Sequence, residues 1–266
     1  MSTQNSKGTA LVTGASAGIG ATYAERLARR GYDLILVARD AARLEALALR
    51  LRTQTGRTVD VLPADLGSAA GQDIVANRLV SDGAITLIVN NAGLGPNGPA
   101  LSSAPTAYDA MLALNVAAVQ RLTLTAAHVF AAKGAGTIIN IASAVALLPE
   151  RFNGPYVATK AFVLALTQAL AAELSGKGVT FQAVLPGYTR TEIFERAGID
   201  PSVLPQDMVM EVGDLVDAAL SGLDQGELVT IPSLPDSADW QALEAARMKI
   251  AGNASRNKPA ARFGVA

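Results

Sequence analysis

The sequence predicts an α/β protein built on a doubly wound, parallel β-sheet with helices on both faces. Three observations predict it. Short apolar runs rich in β-branched residues alternate with longer Ala- and Leu-rich segments that lack internal proline, the pattern of buried strands joined by helical crossovers. The alternation continues to about residue 230 with no internal repeat and no linker-like stretch. Half of the 266 residues are hydrophobic and 17% are charged, ample material for one large core. Right-handed crossovers between parallel strands then leave the doubly wound sheet as the architecture.

In chain order, strands are expected at Thr9–Thr13, Asp33–Ala38, Thr58–Leu62, Thr86–Asn90, Gly136–Ile141, Val179–Leu185 and Glu227–Ile231. Each is a continuous apolar run too short for a helix. Between them, Ile19–Arg30, Ala41–Thr53, Ala69–Val80, Tyr108–Lys133, Pro155–Ser175 and Met208–Leu223 have helix-forming composition. From Pro232 the character changes. One helix is expected at Ala238–Ala251, then a Gly/Asn/Pro-rich tail in which no acid follows Glu244 but Arg247, Lys249, Arg256, Lys258 and Arg262 do. Residues 1–231 are read as the ligand-binding and catalytic domain, and 232–266 as a helical extension of it.

Composition narrows the function. A formal net charge of -1 gives no electrostatic case for nucleic acid or an anionic membrane. The chain has no cysteine, which excludes disulfides, thiolate catalysis and zinc–cysteine sites. A single histidine, His128, cannot build a histidine metal cluster and is read as structural. The first eight residues are polar, unlike a signal peptide, and no uninterrupted apolar run reaches the roughly 18 residues that span a bilayer. A cytoplasmic location is expected.

In a doubly wound sheet, ligands bind beyond the carboxyl ends of the strands. The first strand runs into Thr13-Gly14-Ala15-Ser16-Ala17-Gly18-Ile19-Gly20, where a helix opens. Glycines let backbone approach a pyrophosphate, and the helix N-terminus offers unpaired N–H groups. After the second strand stand Ala38, Arg39 and Asp40. Arg39 can pair with a ribose 2′-phosphate, which points to NADP(H). Asp40 could instead serve the 2′-hydroxyl of NAD, but as the residue before Ala41 it reads better as a helix N-cap. Asp65-Leu66 follows the third strand and Asn90-Asn91-Ala92-Gly93 the fourth. Asp65 suits either an adenine amino group or a plain turn.

Ser143 follows the fifth strand, and Tyr156 and Lys160 open the next long helix four residues apart. That spacing puts both side chains on one face. A free phenol ionises near 10, and a neighbouring lysine cation is expected to lower it. Tyr156 can then give a proton to a carbonyl oxygen, or take one from an alcohol, while Ser143 holds the same oxygen.

Taken in order, these residues resemble the short-chain dehydrogenase/reductase family, in its NADP-preferring branch. The matching residues are Thr13–Gly20, Asp65-Leu66, Asn90–Gly93, Asn115, Ser143, Tyr156–Lys160, and Pro186-Gly187 followed by Thr191. The resemblance spans about residues 8–231. It implies a Rossmann-like domain with a seven-stranded sheet and a catalytic tetrad of Asn115, Ser143, Tyr156 and Lys160. It further implies cofactor contacts from Gly14, Ser16, Gly18, Ile19, Gly20, Arg39, Asp65, Leu66, Asn91, Ala92, Gly93, Tyr156, Lys160, Pro186, Gly187, Thr189 and Thr191. From its own position, Asn115 is a polar residue in an apolar helix that needs a partner if buried.

Residues near Ser143 and after the sixth strand are mostly apolar: Val145, Leu147, Leu148, Phe152, Tyr188 and Phe194. They predict a pocket for hydrophobic carbonyl compounds, with Val145, Phe152, Tyr188 and Phe194 as its walls and Thr189–Pro205 as a lid or a connecting loop. The alternatives are a 3-hydroxy acid dehydrogenase, a lipid or steroid ketone reductase, and a non-catalytic NADP-binding regulator. Small-molecule substrates are the expected partners, with no nucleic acid and no membrane. The resemblance implies a homodimer or homotetramer packed through the helices of Asn115 and Tyr156.

Overall fold

The computed structural model describes residues 6–96, 98–191 and 204–265. The chain divides into two compact units, one up to Pro232 and one from Ser233 onward.

In the first unit, β1 (Thr9–Thr13), β2 (Asp33–Ala38), β3 (Val59–Pro63), β4 (Ile85–Asn90), β5 (Gly136–Ile141), β6 (Val179–Val184) and β7 (Val229–Thr230) form one sheet. It has seven strands in the order β3-β2-β1-β4-β5-β6-β7, all parallel. The order reverses between β1 and β4, which makes that gap the topological switch point.

Alternate side chains of each strand feed opposite cores. From β1 and β2, Val12 and Leu36 pack on one face with Tyr23, Leu27, Leu44, Leu51, Leu215 and Leu220. Leu11 and Ile35 pack on the other with Val75, Leu79, Leu122, Phe130 and Leu170. Burial of both faces is why the strands read as unbroken apolar runs rather than alternating ones.

The first face is covered by α1 (Gly18–Arg29), α2 (Ala41–Thr55) and α7 (Val212–Asp224). The second is covered by α3 (Ala69–Ser81), α5 (Val119–Lys133) and α6 (Gly154–Glu173). The helix expected over Tyr108–Lys133 is not uniform. A short α4 (Asp109–Leu112) passes into a π-helical stretch, Ala113–Ala118, before α5 begins. A π-turn is wider than an α-turn and re-aims the residues within it, here including Asn115. The last strand is shorter than expected. It pairs with β6 only at Val229 and Thr230, and Pro232, lacking an N–H, cannot extend the ladder. In the second unit, α8 (Ser237–Ala251) starts at Asp236, whose carboxylate accepts the Ala238 N–H at 2.8 Å.

Two helical stretches, Pro105–Lys133 and Gly154–Glu173, are long and apolar enough to cross a membrane by length and composition, although no uninterrupted apolar run of that length exists. Their inward residues, among them Leu122, Ala126, Phe130 and Leu170, belong to the sheet's second core.

That core contains one polar chain. The Asn90 amide donates to Asn140 Oδ1 at 2.9 Å and to Thr123 Oγ1 at 3.1 Å. The Asn140 amide donates to Thr167 Oγ1 at 2.9 Å. It links β4, β5, α5 and α6 with directional contacts that apolar packing alone lacks. Replacing Asn140 with alanine would remove one of the two partners of the Asn90 amide and the donor to Thr167, which keep Thr123 and the Val163 carbonyl. The lost buried bonds cost about 1–3 kcal/mol each. We expect Asn140→Ala to lose roughly 2–4 kcal/mol of stability, seen as a lower urea midpoint at unchanged slope.

Candidate active site

The site forms where β1, β4 and β5 end. Thr13, the last residue of β1, stitches the first two ends together. Its hydroxyl accepts the N–H groups of Asn91 and Ala92 at 2.9 and 3.1 Å and donates to the Val89 carbonyl at 3.2 Å. The Asn91 amide returns to the carbonyls of Thr13 and Gly14 at 3.0 and 3.3 Å. Gly14 has φ +65°, and a Cβ there would lie 2.7 Å from the Asn91 amide nitrogen. A Cβ on Gly20 would run into the carbonyl of Gly14. Only glycine permits this closeness.

A cavity of about 720 Å³ opens at this point. Of the residues expected to contact a dinucleotide, Gly14, Ser16, Gly18, Ile19, Arg39, Asp65, Leu66, Asn91, Ala92, Gly93 and Thr191 line it. Gly20 does not line it; it is buried beneath, where it lets α1 pack against the loop. Tyr156, Lys160, Pro186, Gly187 and Thr189 also lie outside its lining.

The donor set suits a dinucleotide phosphate. The residue before α1 is Ala17, which provides no side-chain cap, and the first turn holds no acid. Its N–H groups and the positive end of the helix dipole are therefore open to an anion. Arg39 is exposed at the cavity and has no hydrogen bond or ion pair among the described residues. Asp40 accepts the Arg43 N–H at 3.0 Å and so caps α2. Arg43 also lines the cavity and was missed in the sequence; the cue was a second arginine flanking the same cap. Asp65 spends one carboxylate oxygen on its own turn, accepting the Gly67 N–H at 3.0 Å, while also lining the cavity.

The reacting side is set by β5 and α6. Ser143 leaves β5 buried, donating to the Pro186 carbonyl at 3.2 Å. Asn153 caps α6 by accepting the Tyr156 N–H at 3.1 Å. One turn further on, the Lys160 ammonium reaches back to the Ile141 carbonyl at 3.0 Å. It stands 5.8 Å from the centre of the Tyr156 ring. Burial pushes the Tyr156 phenol up to about 12, opposed by its hydrogen bond with Ser143. Burial likewise pulls Lys160 down to about 8. The expectation that lysine lowers the phenol's pKa is thus corrected. Desolvation outweighs the hydrogen bond from Ser143 and holds the phenol above its ordinary value.

Asn115 is buried, and its side chain is fully engaged. It accepts the Leu94 N–H at 2.8 Å and donates to the Leu94 carbonyl at 2.9 Å and to Thr159 Oγ1 at 3.2 Å. It joins the loop after β4 to α6. His128 lies on the outer side of α5, its ring paired with the Leu124 carbonyl at 2.8 Å.

The predicted substrate walls are placed differently. Val145, Phe152 and Tyr188 are half-buried near Ser143 and α6 but do not line this cavity. Phe194, and most of the expected lid, lie outside the described residues. Leu94, Tyr108, Met111 and Leu114 line the cavity instead. The segment between β4 and α4 that supplies two of them has no periodicity to reveal it.

The model of the short chain dehydrogenase family matches residues 8–201. A short-chain dehydrogenase from Sphingobium yanoikuyae, solved in complex with NADPH, is 49% identical, with 95% of this chain and 98% of that one covered at a TM-score of 0.92. A bulky-bulky ketone specific alcohol dehydrogenase from Comamonas testosteroni is 44% identical, with 97% and 99% covered at a TM-score of 0.89. Human 17-beta-hydroxysteroid dehydrogenase type 3 is 33% identical over 66% of this chain, a match that spans 57% of the human enzyme's length.

The buried lysine has a measurable consequence. Lys160 releases its proton near 8 in the folded protein and at the ordinary 10.5 when unfolded. Between those values the unfolded chain holds more protons, so raising the pH stabilises the fold. The destabilisation is complete below about pH 8 and fades towards 10.5. Lys160→Met, which cannot titrate, should gain in melting temperature over the wild type most at or below pH 8. The gain should shrink as the pH rises through this window. A difference that does not vary with pH would show that the ammonium is not desolvated.

Proposed function

The chain belongs to the short-chain dehydrogenase family, and on that premise we propose that it is an NADP(H)-dependent oxidoreductase interconverting bulky, hydrophobic ketones or aldehydes and their alcohols. The observation that carries this reading is the grouping of Ser143, Tyr156 and Lys160 at the end of β5 and the start of α6, with the Lys160 ammonium close to Gly93 of the cavity lining. The NADPH complex of the Sphingobium relative and the bulky-ketone specificity of the Comamonas relative support it.

The residues divide the work. The N–H groups at the start of α1, with Gly14 and Gly18, would hold the pyrophosphate, and Arg39 the 2′-phosphate. Lys160, Pro186, Gly187, Thr189 and Thr191 would border the nicotinamide riboside. When bound, NADPH supplies the hydride that reduces the carbonyl carbon. Tyr156 gives its proton to the carbonyl oxygen, so C=O becomes CH–OH, and the phenol recovers a proton from solvent. Ser143 donates a hydrogen bond to the same oxygen and fixes its position. Asn115 contributes by holding Leu94 and Thr159 in place.

A phenol pushed up to about 12 is a proton donor at neutral pH, which suits reduction. Alcohol oxidation needs the phenolate, whose share grows with pH below that value. A steroid ketone falls in the same hydrophobic class, and the human relative favours including steroids among the substrates tested. The proposal extends to a cytoplasmic homodimer or homotetramer packed through α5 and α6.

A panel of alkyl, aryl and steroid ketones with NADPH tests the reading. Tyr156→Phe should cut kcat by about 10²–10⁴-fold while NADPH still binds. Arg39→Ala should raise KM for NADPH by about 10–100-fold and leave KM for NADH nearly unchanged. Alcohol oxidation by the wild type should climb from neutral to alkaline pH while ketone reduction does not. No turnover across the panel, or equal efficiency with NADH, would overturn the proposal.

A further inference from the structure

Asn153 does more than cap α6. Its oxygen accepts the Tyr156 N–H, while its amide nitrogen donates to the Gly98 carbonyl at 2.9 Å and to the Tyr108 hydroxyl at 3.2 Å. The Tyr108 hydroxyl in turn donates to the Ala100 carbonyl at 3.0 Å. Both amide hydrogens are used, so the group is saturated on its loop side.

These bonds matter because of what they hold. The chain between β4 and α4 contributes Leu94, Gly95, Ser103 and Tyr108 to the cavity. Among its described residues the regular structure is two 3-10 turns, at Ala100–Ser102 and Pro105–Tyr108, with no buried residue in either. At Leu94 it is fastened by the Asn115 amide. At Gly98 and Tyr108 it is fastened by Asn153, three residues before the phenol. Two asparagine amides therefore pin the same wall, one at Leu94 and the other at Gly98 and Tyr108.

We infer that Asn153 and Tyr108 form a clasp that sets the distance between this wall and Tyr156, and so determine which ketones fit. They are positioning residues. Neither needs to touch a reacting atom, and the inference rests on Tyr156 being the proton donor. The clasp holds the wall against the displacement that a large ketone would otherwise cause or require. Opening it should weaken the grip on a bulky ketone, whose binding depends on contact with the wall, more than on a small one, which leaves the wall untouched.

Asn153→Ser keeps a good N-cap but is too short to reach Gly98 and Tyr108. Tyr108→Phe keeps the ring and loses only the hydroxyl. For each, we expect KM for a diaryl ketone to rise about 5–10-fold, since only part of the two hydrogen bonds that each variant removes is felt at the substrate. The accompanying change in kcat should be no more than about twofold, and KM for a small cyclic ketone should move far less. Because the two residues share the Asn153–Tyr108 bond, the double variant should be worse than either single one by less than the two separate effects combined. Hydrogen exchange of the protein without ligands reads the clasp independently of turnover: amides between residues 94 and 108 should exchange faster in both variants. Unchanged exchange would overturn the clasp, and faster exchange with unchanged KM would overturn its role in selectivity. Failure of the underlying assignment looks different, because then the wild type itself turns over no ketone while the exchange difference persists.

Discussion

The ammonium of Lys160, buried and bonded to the last carbonyl of β5, ties α6 to the sheet at the level where the strands end. Tyr156 sits one turn earlier on that helix, and Ser143 two residues beyond Ile141, where that strand ends. Once the lysine is in place, phenol and hydroxyl have to meet. Asn140 reinforces the tie from below, because its bond to Thr167 joins the same strand to the same helix. Burial that makes this anchor firm also makes it expensive. An ammonium that gives up its proton near 8 is a strained choice for a structural bond. Groups perturbed in this way cluster at functional sites.

The parallel sheet supplies the rest. Because β1, β4 and β5 run the same way, their carboxyl ends converge on one edge, and the reversal of strand order leaves a gap there for a ligand. Thr13 and Asn91 close the backbone around that gap. The uncapped start of α1 and Arg39, which has no partner among the described residues, put positive charge into its lining beside Asp40 and Asp65. Asn115 then connects the cavity-lining loop after β4 to α6, since its side chain bonds both Leu94 and Thr159.

Strand ends were the legible part of the sequence. Continuous apolar runs located them within a residue or two, and the polar or glycine residues just beyond β1 to β4 line the cavity, whereas Ser143, Pro186 and Gly187 beyond β5 and β6 do not. Three things were hidden for physical reasons. The π-stretch at Ala113–Ala118 contains no proline or glycine, so helical periodicity reads straight through it. The wall between Leu94 and Tyr108 is held by side-chain bonds to Asn153, which no local pattern encodes. The direction of the Tyr156 shift depends on how much water the fold removes, and spacing on a helix gives only the attraction to lysine.

A single titration tests the central claim, that burial keeps the Tyr156 phenol protonated so that it can act as the acid. Phenolate absorbance of the wild type, minus that of Tyr156→Phe, would be followed as the pH of the protein without ligands is raised. A phenol pushed up to about 12 predicts no difference signal through pH 10, the ordinary value. A Tyr156 phenolate appearing near neutral pH would contradict the account.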